Sequence, residues 1–194
     1  MSGSLSIPVI YGSVRTERQG IRAARFVVNR LRERGHEPVL VDPLEKPLPM
    51  LDKMYKEYDP GTAPPVMEEL AQLFKRADGF VVVTGEYNHG IPPALKNLMD
   101  HYLEEYFWRP AGIVSYSGGR FSGARAAEQM RCVLGEMGMI SVPSIVSYPN
   151  VGRTFEEDGS TNEEWLVKAT DEFVTEFEWY AAALAAQRKT GVPY

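Results

Sequence analysis

Cysteine is almost missing from this chain: Cys132 is the only one. A lone cysteine excludes an intrachain disulfide and suits a reducing, cytoplasmic compartment. Histidine is scarce as well. His36, His89 and His101 have no metal-ligand spacing and no partner cysteines, so no zinc site is expected. No apolar run approaches the roughly 20 residues that cross a bilayer, and no membrane partner is expected. Met1-Ser2-Gly3-Ser4 places no basic residue before the first apolar stretch, which argues against a secretory signal. Positive charge is in deficit, with a net charge of −5, and this argues against nucleic acid as the main partner. Several nucleotide and hydrolase motifs are absent too. Gly12-Ser13-Val14-Arg15 is not G-x-G-x-x-G, although Asp42 stands about where a ribose-binding acid would. Gly85 and Gly90 have P-loop spacing, but Ile91-Pro92 follows in place of Lys-Ser/Thr. No serine sits in G-x-S-x-G, so a nucleophile elbow is not expected.

What remains is an ordinary globular composition, 44% hydrophobic and 24% charged over 194 residues, read as one domain spanning 1–194. Apolar runs of strand length, Ile7–Tyr11, Val39–Val41, Phe80–Thr84, Gly112–Tyr116 and Val142–Val146, alternate with stretches of helical periodicity. Five such units predict an α/β fold: a three-layer sandwich around a five-stranded parallel sheet. The order 2-1-3-4-5 opens a crevice between strands 1 and 3. Cys132 falls within one of the helical apolar patterns and is read as an inert buried thiol. The proline-rich stretch from Pro43 to Pro65 is unusually long for a connection and carries Leu48, Met50, Leu51, Met54, Tyr55 and Tyr58. It either folds over its own domain or meets a second subunit. Met99, Tyr102, Tyr106, Phe107 and Trp108 make an aromatic excess that a lone domain would struggle to bury, and this predicts a homo-oligomer.

Three loops follow strand-like runs and end in helical ones. The first carries Gly12, Ser13, Arg15, Arg18, Gln19 and Gly20, with a helix starting near Gly20-Ile21. Unpaired N–H groups at a helix start, a hydroxyl and guanidinium groups suit a phosphate. The stretch Arg15 to Arg34 holds seven arginines and Glu156 to Glu178 is acidic. Arg15 and Arg18 are read as anion-attracting, and the others as solvated helix faces. The second loop is Gly85-Glu86-Tyr87-Asn88-His89-Gly90, running into a proline-started helix. The third is Ser115-Tyr116-Ser117-Gly118-Gly119-Arg120-Phe121-Ser122-Gly123, whose glycines let backbone N–H groups approach a ligand.

Taken together, Gly12-Ser13-x-Arg15-x-x-Arg18-x-Gly20, Glu86-Tyr87-Asn88-His89-Gly90 to Leu95-Lys96-Asn97, and Tyr116-Ser117-Gly118 to Gly123-x-Arg125-Ala126 resemble the NAD(P)H-dependent FMN reductase family. That family is flavodoxin-like and includes quinone, chromate and azo-dye reductases. The resemblance covers roughly Pro8 to Val146. It implies that Ser13, Arg15, Gln19, Gly20 and Ile21 hold the FMN phosphate, with Arg18 nearby. It implies that Glu86, Tyr87, Asn88 and His89 line the isoalloxazine and ribityl chain, and that Ser117, Gly118, Gly119 and Arg120 edge the ring. Two positions depart from the pattern: Gly85 stands where many relatives have proline, implying a looser loop, and Ser122-Gly123 where a Gly-Gly pair is frequent.

The activity implied is hydride transfer from NADPH or NADH through bound FMN to a quinone, free flavin, azo compound or metal ion. Because flavin carries the hydride chemistry, no catalytic side chain is required. Backbone donors near Gly118 and Gly119 would stabilise the reduced ring, and Arg120 is a candidate grip for an anionic ligand. The resemblance also implies a homodimer or homotetramer. Two other readings stand beside this one: a flavodoxin-type electron carrier or redox sensor, and an interaction module without flavin.

Overall fold

Phe80-Val81-Val82-Val83-Thr84 has no polar face to turn to water, and all five residues are buried. In a computed structural model, which describes residues 3–194, this run is the central strand β3 (Phe80–Thr84). Around it lie β1 (Ser6–Tyr11), β2 (Glu37–Val41), β4 (Pro110–Tyr116) and β5 (Ile140–Tyr148). All pairs are parallel, in the order β2-β1-β3-β4-β5, the expected one of the two common solutions for an alternating chain. Tyr11 pairs with Val83 and Thr84 with Ser115, so β1, β3 and β4 end side by side.

Successive strand residues face opposite sides, and the two faces have separate cores. Val81 and Val83 join Ile7, Val9 and Val114 beneath α1 (Gly20–Glu33) and α6 (Glu164–Arg188). Phe80 and Val82 join Ile10 and Ile113 beneath α2 (Pro65–Arg76), α3 (Pro93–Asp100) and α4 (Ala124–Glu136). A one-turn helix, α5 (Val151–Thr154), follows β5. No helix among the described residues is long and apolar enough to cross a membrane.

The second core absorbs the aromatic excess. Met99, Tyr102 and Tyr106 are buried within one chain. Phe74 meets Tyr102 edge-on with ring centroids 5.0 Å apart, and Phe80 meets Tyr106 likewise at 5.2 Å. Phe107 and Trp108 pack against Tyr194. The argument from these side chains to a second subunit therefore does not stand.

The charged helix faces also differ from the expectation of solvated surfaces. Arg30 bonds Asp171 (2.7 Å) and Arg34 bonds Glu178 (2.6 Å), joining α1 to α6. Arg22 and Arg25 donate to the carbonyls of Phe155 (3.0 Å) and Glu157 (2.6 Å), which pins the segment after β5 onto α1. The basic run and the acidic run are partners.

Cys132 is exposed, not buried. It lies two residues from Met130, about 200° around α4, and so leaves the stripe of Ala127, Met130 and Leu134. The Pro43–Pro65 stretch folds over its own domain. Asn97 of α3 accepts the Leu51 N–H (2.8 Å) and donates to the Pro49 carbonyl (2.8 Å), while Tyr55 N–H donates to the His101 carbonyl (2.8 Å). Met50 is left 79% exposed.

At the edge strand β5 the register slips: Ala111 faces Ser141 but Ile113 faces Ile145, a bulge around Pro143. Arg131 of α4 donates to the Val142 (3.0 Å) and Pro143 carbonyls, and Glu176 of α6 accepts the Ser144 N–H (3.1 Å).

Candidate functional site

A 14-residue helix beginning at Gly20 offers free N–H groups and a partial positive charge at its start. No side chain caps that end of α1, and no acid lies in its first turn. Gly20 is demanded by packing: a Cβ there would stand 2.1 Å from the Tyr116 ring. Tyr116, at the end of β4, therefore lies directly beneath the helix start. Its ring stacks on Tyr11, centroids 6.1 Å apart, with its hydroxyl 3.4 Å from that of Tyr11. Burial pushes both phenols above their ordinary range, so both stay neutral hydrogen-bonding groups. A Cβ on Gly85 would meet the same ring at 3.0 Å. The departure from proline at Gly85 thus goes with the tyrosine at the end of β4.

Above this floor the three loops enclose a cleft of about 310 Å³, at the low end of the range for small-ligand sites. From the first loop it receives Ser13, Arg15, Gln19 and Gly20. Ser13 Oγ is 2.8 Å from the Tyr87 hydroxyl, which couples the first and second loops. The Arg15 guanidinium lies 5.9 Å from the centre of the Tyr87 ring and is exposed. Gln19 packs so closely on α5 that a Cβ at Gly152 would fall 2.0 Å from its Oε1. Ile21 contributes its N–H to the helix start, while its half-buried side chain packs against the core on the α1 and α6 side.

Arg18 also lines the cleft, and its guanidinium is engaged within the protein. Both its terminal nitrogens pair with the carboxylate of Asp42, which is 2% exposed, and Nη1 also donates to the Ser13 carbonyl (2.9 Å). This clamp ties the first loop to the end of β2, and Asp42 neutralises the charge. Among the described residues no carboxylate holds Arg15, which is left as the free cation of this loop.

In the second loop Tyr87 and Gly90 exchange backbone hydrogen bonds of 3.0 Å around Asn88 and His89, both at positive φ (51° and 69°). That is a two-residue primed hairpin turn, and asparagine tolerates it well. Asn88 and His89 are exposed at its tip, whereas Glu86 and Tyr87 face the cleft. The Glu86 carboxylate is already engaged. It accepts the Arg125 N–H (3.0 Å), the Ala126 N–H (3.4 Å) and Arg125 Nη1 (3.1 Å), capping α4 from outside the helix. Burial alone would raise its pKa; the hydrogen bonds from Arg125 and Ala126 outweigh that and hold it below the ordinary value.

The third loop is tied by its own serine. Ser117 Oγ accepts the N–H groups of Gly119 (3.2 Å) and Ser122 (2.9 Å) and donates to the Gly119 carbonyl (2.7 Å). Val151 N–H and Asn150 N–H reach back to the Ser117 and Gly119 carbonyls, both at 3.1 Å. A Cβ on Gly118 or Gly119 would meet nothing within 4 Å, so both glycines face open space. Arg120 is exposed. The stacking of Tyr11 on Tyr116, the pairing of Asp42 with Arg18 and of Arg125 with Glu86, and the short helix α5 carry no signal in the sequence beyond strand-terminal tyrosines next to glycine-rich loops.

A larger depression of about 740 Å³ exists elsewhere, but its lining comes only from residues 161–175 along α6, away from the loops. Among the described residues, no group of three or more metal-ligating side chains converges. The cleft combines an uncapped helix end, a free arginine, neutral phenols and two open glycines. That donor set fits a phosphorylated, flat cofactor.

Comparison with known proteins points the same way. Residues 5–152 match the family described as NADPH-dependent FMN reductase. An NAD(P)H-dependent FMN reductase of Schizosaccharomyces pombe is 35% identical over 150 residues, 72% of this chain and 70% of the relative. An FMN-dependent NADPH-azoreductase of Staphylococcus aureus is 27% identical over 159 residues, 78% of this chain and 81% of the relative. Among solved structures, the flavoenzyme NAD(P)H:(acceptor) oxidoreductase FerB of Paracoccus denitrificans superposes with a TM-score of 0.72 at 20% identity. That superposition covers 91% of this chain and 97% of FerB, and speaks to the flavodoxin-like fold. With the family match running through most of its length, the chain belongs to the NADPH-dependent FMN reductase family.

Proposed function

We propose that this protein is an FMN-dependent NAD(P)H oxidoreductase that passes hydride equivalents to a small-molecule acceptor: a quinone, free flavin, azo compound or metal ion. The observation that carries this reading is the uncapped start of α1, set over the Tyr116 floor and beside the unpaired Arg15. FMN, when bound, supplies the hydride chemistry. Ser13, Arg15 and the N–H groups of Gly20 and Ile21 would hold its phosphate. Arg18 and Asp42 keep that loop in place. Tyr87 would border the ribityl chain, and Glu86 would set the second loop against α4 without touching the ligand through its occupied carboxylate. The N–H groups of Gly118 and Gly119, reached without side-chain obstruction, would stabilise negative charge building on the ring.

A cytoplasmic homodimer or homotetramer completes this reading. Its support is an apolar groove bounded by Leu51, Met54, Leu103 and Val133 beside the exposed Met50. The test is anaerobic mixing of the FMN-loaded protein with NADPH while the flavin absorbance is followed. Rapid bleaching, then recovery of colour on adding a quinone, is the expected result. Persistent colour would leave a flavodoxin-type electron carrier, and failure to retain FMN would remove the flavin reading altogether. Light scattering tests the assembly, and a monomer alone would reject it.

A further inference from the structure

Large apolar side chains on a protein surface usually pack down on a neighbour, yet Phe121 is 60% exposed in the third loop, three residues beyond Gly118, which lines the cleft. Its loop does not hang free. Ser117 ties Gly119 and Ser122, and the segment around Asn150 holds the Ser117 and Gly119 carbonyls. The ring is thus presented from a braced support, and two guanidinium groups lie over it: Arg120 at 5.0 Å from its centre and Arg125 at 5.4 Å.

The two arginines are not equivalent. Arg125 pairs with Glu86, so its charge is balanced and its position fixed. Among the described residues, no carboxylate or hydrogen bond holds the Arg120 guanidinium; Phe121 is its contact. An exposed cation–π contact is weak, so a flat ligand can take the place of that guanidinium on the ring. The displaced guanidinium is then free to pair with an anion on the same ligand. Gly118 lines the cleft, and the space beside Gly118 and Gly119 is open. A planar molecule can therefore extend from the cleft to the ring.

We propose that Phe121 and Arg120 form a receptor for a flat aromatic ring bearing an anionic group at its edge. This selects aromatic sulfonates or carboxylates among the acceptors. The same chemistry is offered by the adenine and ribose phosphate of NADPH. That the captured molecule is then reduced rests on the oxidoreductase reading above; its capture does not.

The test is fluorescence titration of the purified chain, with and without added FMN, using naphthalene-2-sulfonate and the neutral 2-naphthol. Wild type is expected to prefer the sulfonate by about fivefold, the strength of one exposed ion pair. Arg120→Gln should erase that preference, and Phe121→Leu should weaken both ligands by about threefold or more through lost ring stacking. Both positions are exposed, so neither change threatens folding. No preference in wild type, a preference that survives Arg120→Gln, or unchanged binding in Phe121→Leu would overturn the proposal.

Two kinetic arms identify the source of the anion. Loss of selectivity for 1,2-naphthoquinone-4-sulfonate over 2-methyl-1,4-naphthoquinone in these variants assigns the receptor to the acceptor. Loss of selectivity for NADPH over NADH in anaerobic flavin reduction assigns it to the donor. Absence of NADPH turnover with sulfonate preference intact would defeat the oxidoreductase reading and leave the receptor standing.

Discussion

Replacing Glu86 by alanine removes an acceptor that serves three donors at the start of α4. The Arg125 and Ala126 N–H groups lose a charged cap, and such a loss costs roughly 0.5–2 kcal/mol. The negative charge beside the helix start contributes roughly 0.3–1 kcal/mol more. The guanidinium partner is 46% exposed, so its pairing adds at most a few tenths after solvent screening. The sum is about 2 kcal/mol, which for a domain of this size lowers Tm by about 4–8 °C. Glu86→Gln keeps an oxygen acceptor and should lose about half as much.

The pH dependence follows from the lowered pKa of Glu86, whose ordinary value is 4.5. A carboxyl with a depressed folded-state pKa stabilises the fold fully above its unfolded value, and that contribution is lost as pH falls through the folded one. The difference in stability between wild type and Glu86→Gln should therefore hold near neutrality and shrink progressively below about pH 4.5. Urea unfolding at a series of pH values measures it. If Glu86→Ala left Tm unchanged at pH 7 while abolishing FMN retention, the carboxylate would be a cofactor ligand and the capping argument would be wrong.

Gly20→Ala should destabilise by roughly 1–3 kcal/mol, the range for overpacking, because its Cβ would fall 2.1 Å from the Tyr116 ring; denaturant midpoints decide. Arg15→Ala should weaken FMN binding by about 1.5–3 kcal/mol, read by flavin fluorescence titration, and unchanged affinity would contradict its phosphate role. Asp42→Asn breaks the clamp on Arg18 and leaves a cation half-buried, so a loss of about 3 kcal/mol in urea unfolding is expected. It should also loosen FMN, since Arg18 steadies Ser13 through its carbonyl.

The sheet was legible because β3 and β4 are apolar on both sides, as strands covered on both faces require, and alternate with helical stretches. The three loops were legible because glycine and hydroxyl residues follow those strands directly. Pairings across long sequence separation were not. Arg30 with Asp171 and Arg34 with Glu178 depend on how α1 and α6 dock, and local charge runs carry no register between helices. The pairing of Arg18 with Asp42 was hidden because Asp42 lies at another strand end. The pairing of Glu86 with the start of α4 was hidden for the same reason, its partners lying 39 and 40 residues away. Cys132 was misplaced because a helical window of apolar residues does not by itself fix which residue falls off the stripe. Tyr102 and Tyr106 fit inside because Phe74 and Phe80 offer ring edges and faces in the required geometry, which composition cannot show. The four-residue α5 is too short to leave any periodic signal.

The bulge at Pro143 bears on how copies of this chain can meet. With the Val142 and Pro143 carbonyls engaged by Arg131 and the Ser144 N–H by Glu176, the outer margin of β5 offers little for a foreign strand to zip onto. Growth of the sheet by strand addition is discouraged at that end, which protects a flat parallel scaffold against runaway ribbon formation. On that side of the sheet, contact between copies then has to be made through helices and connecting segments.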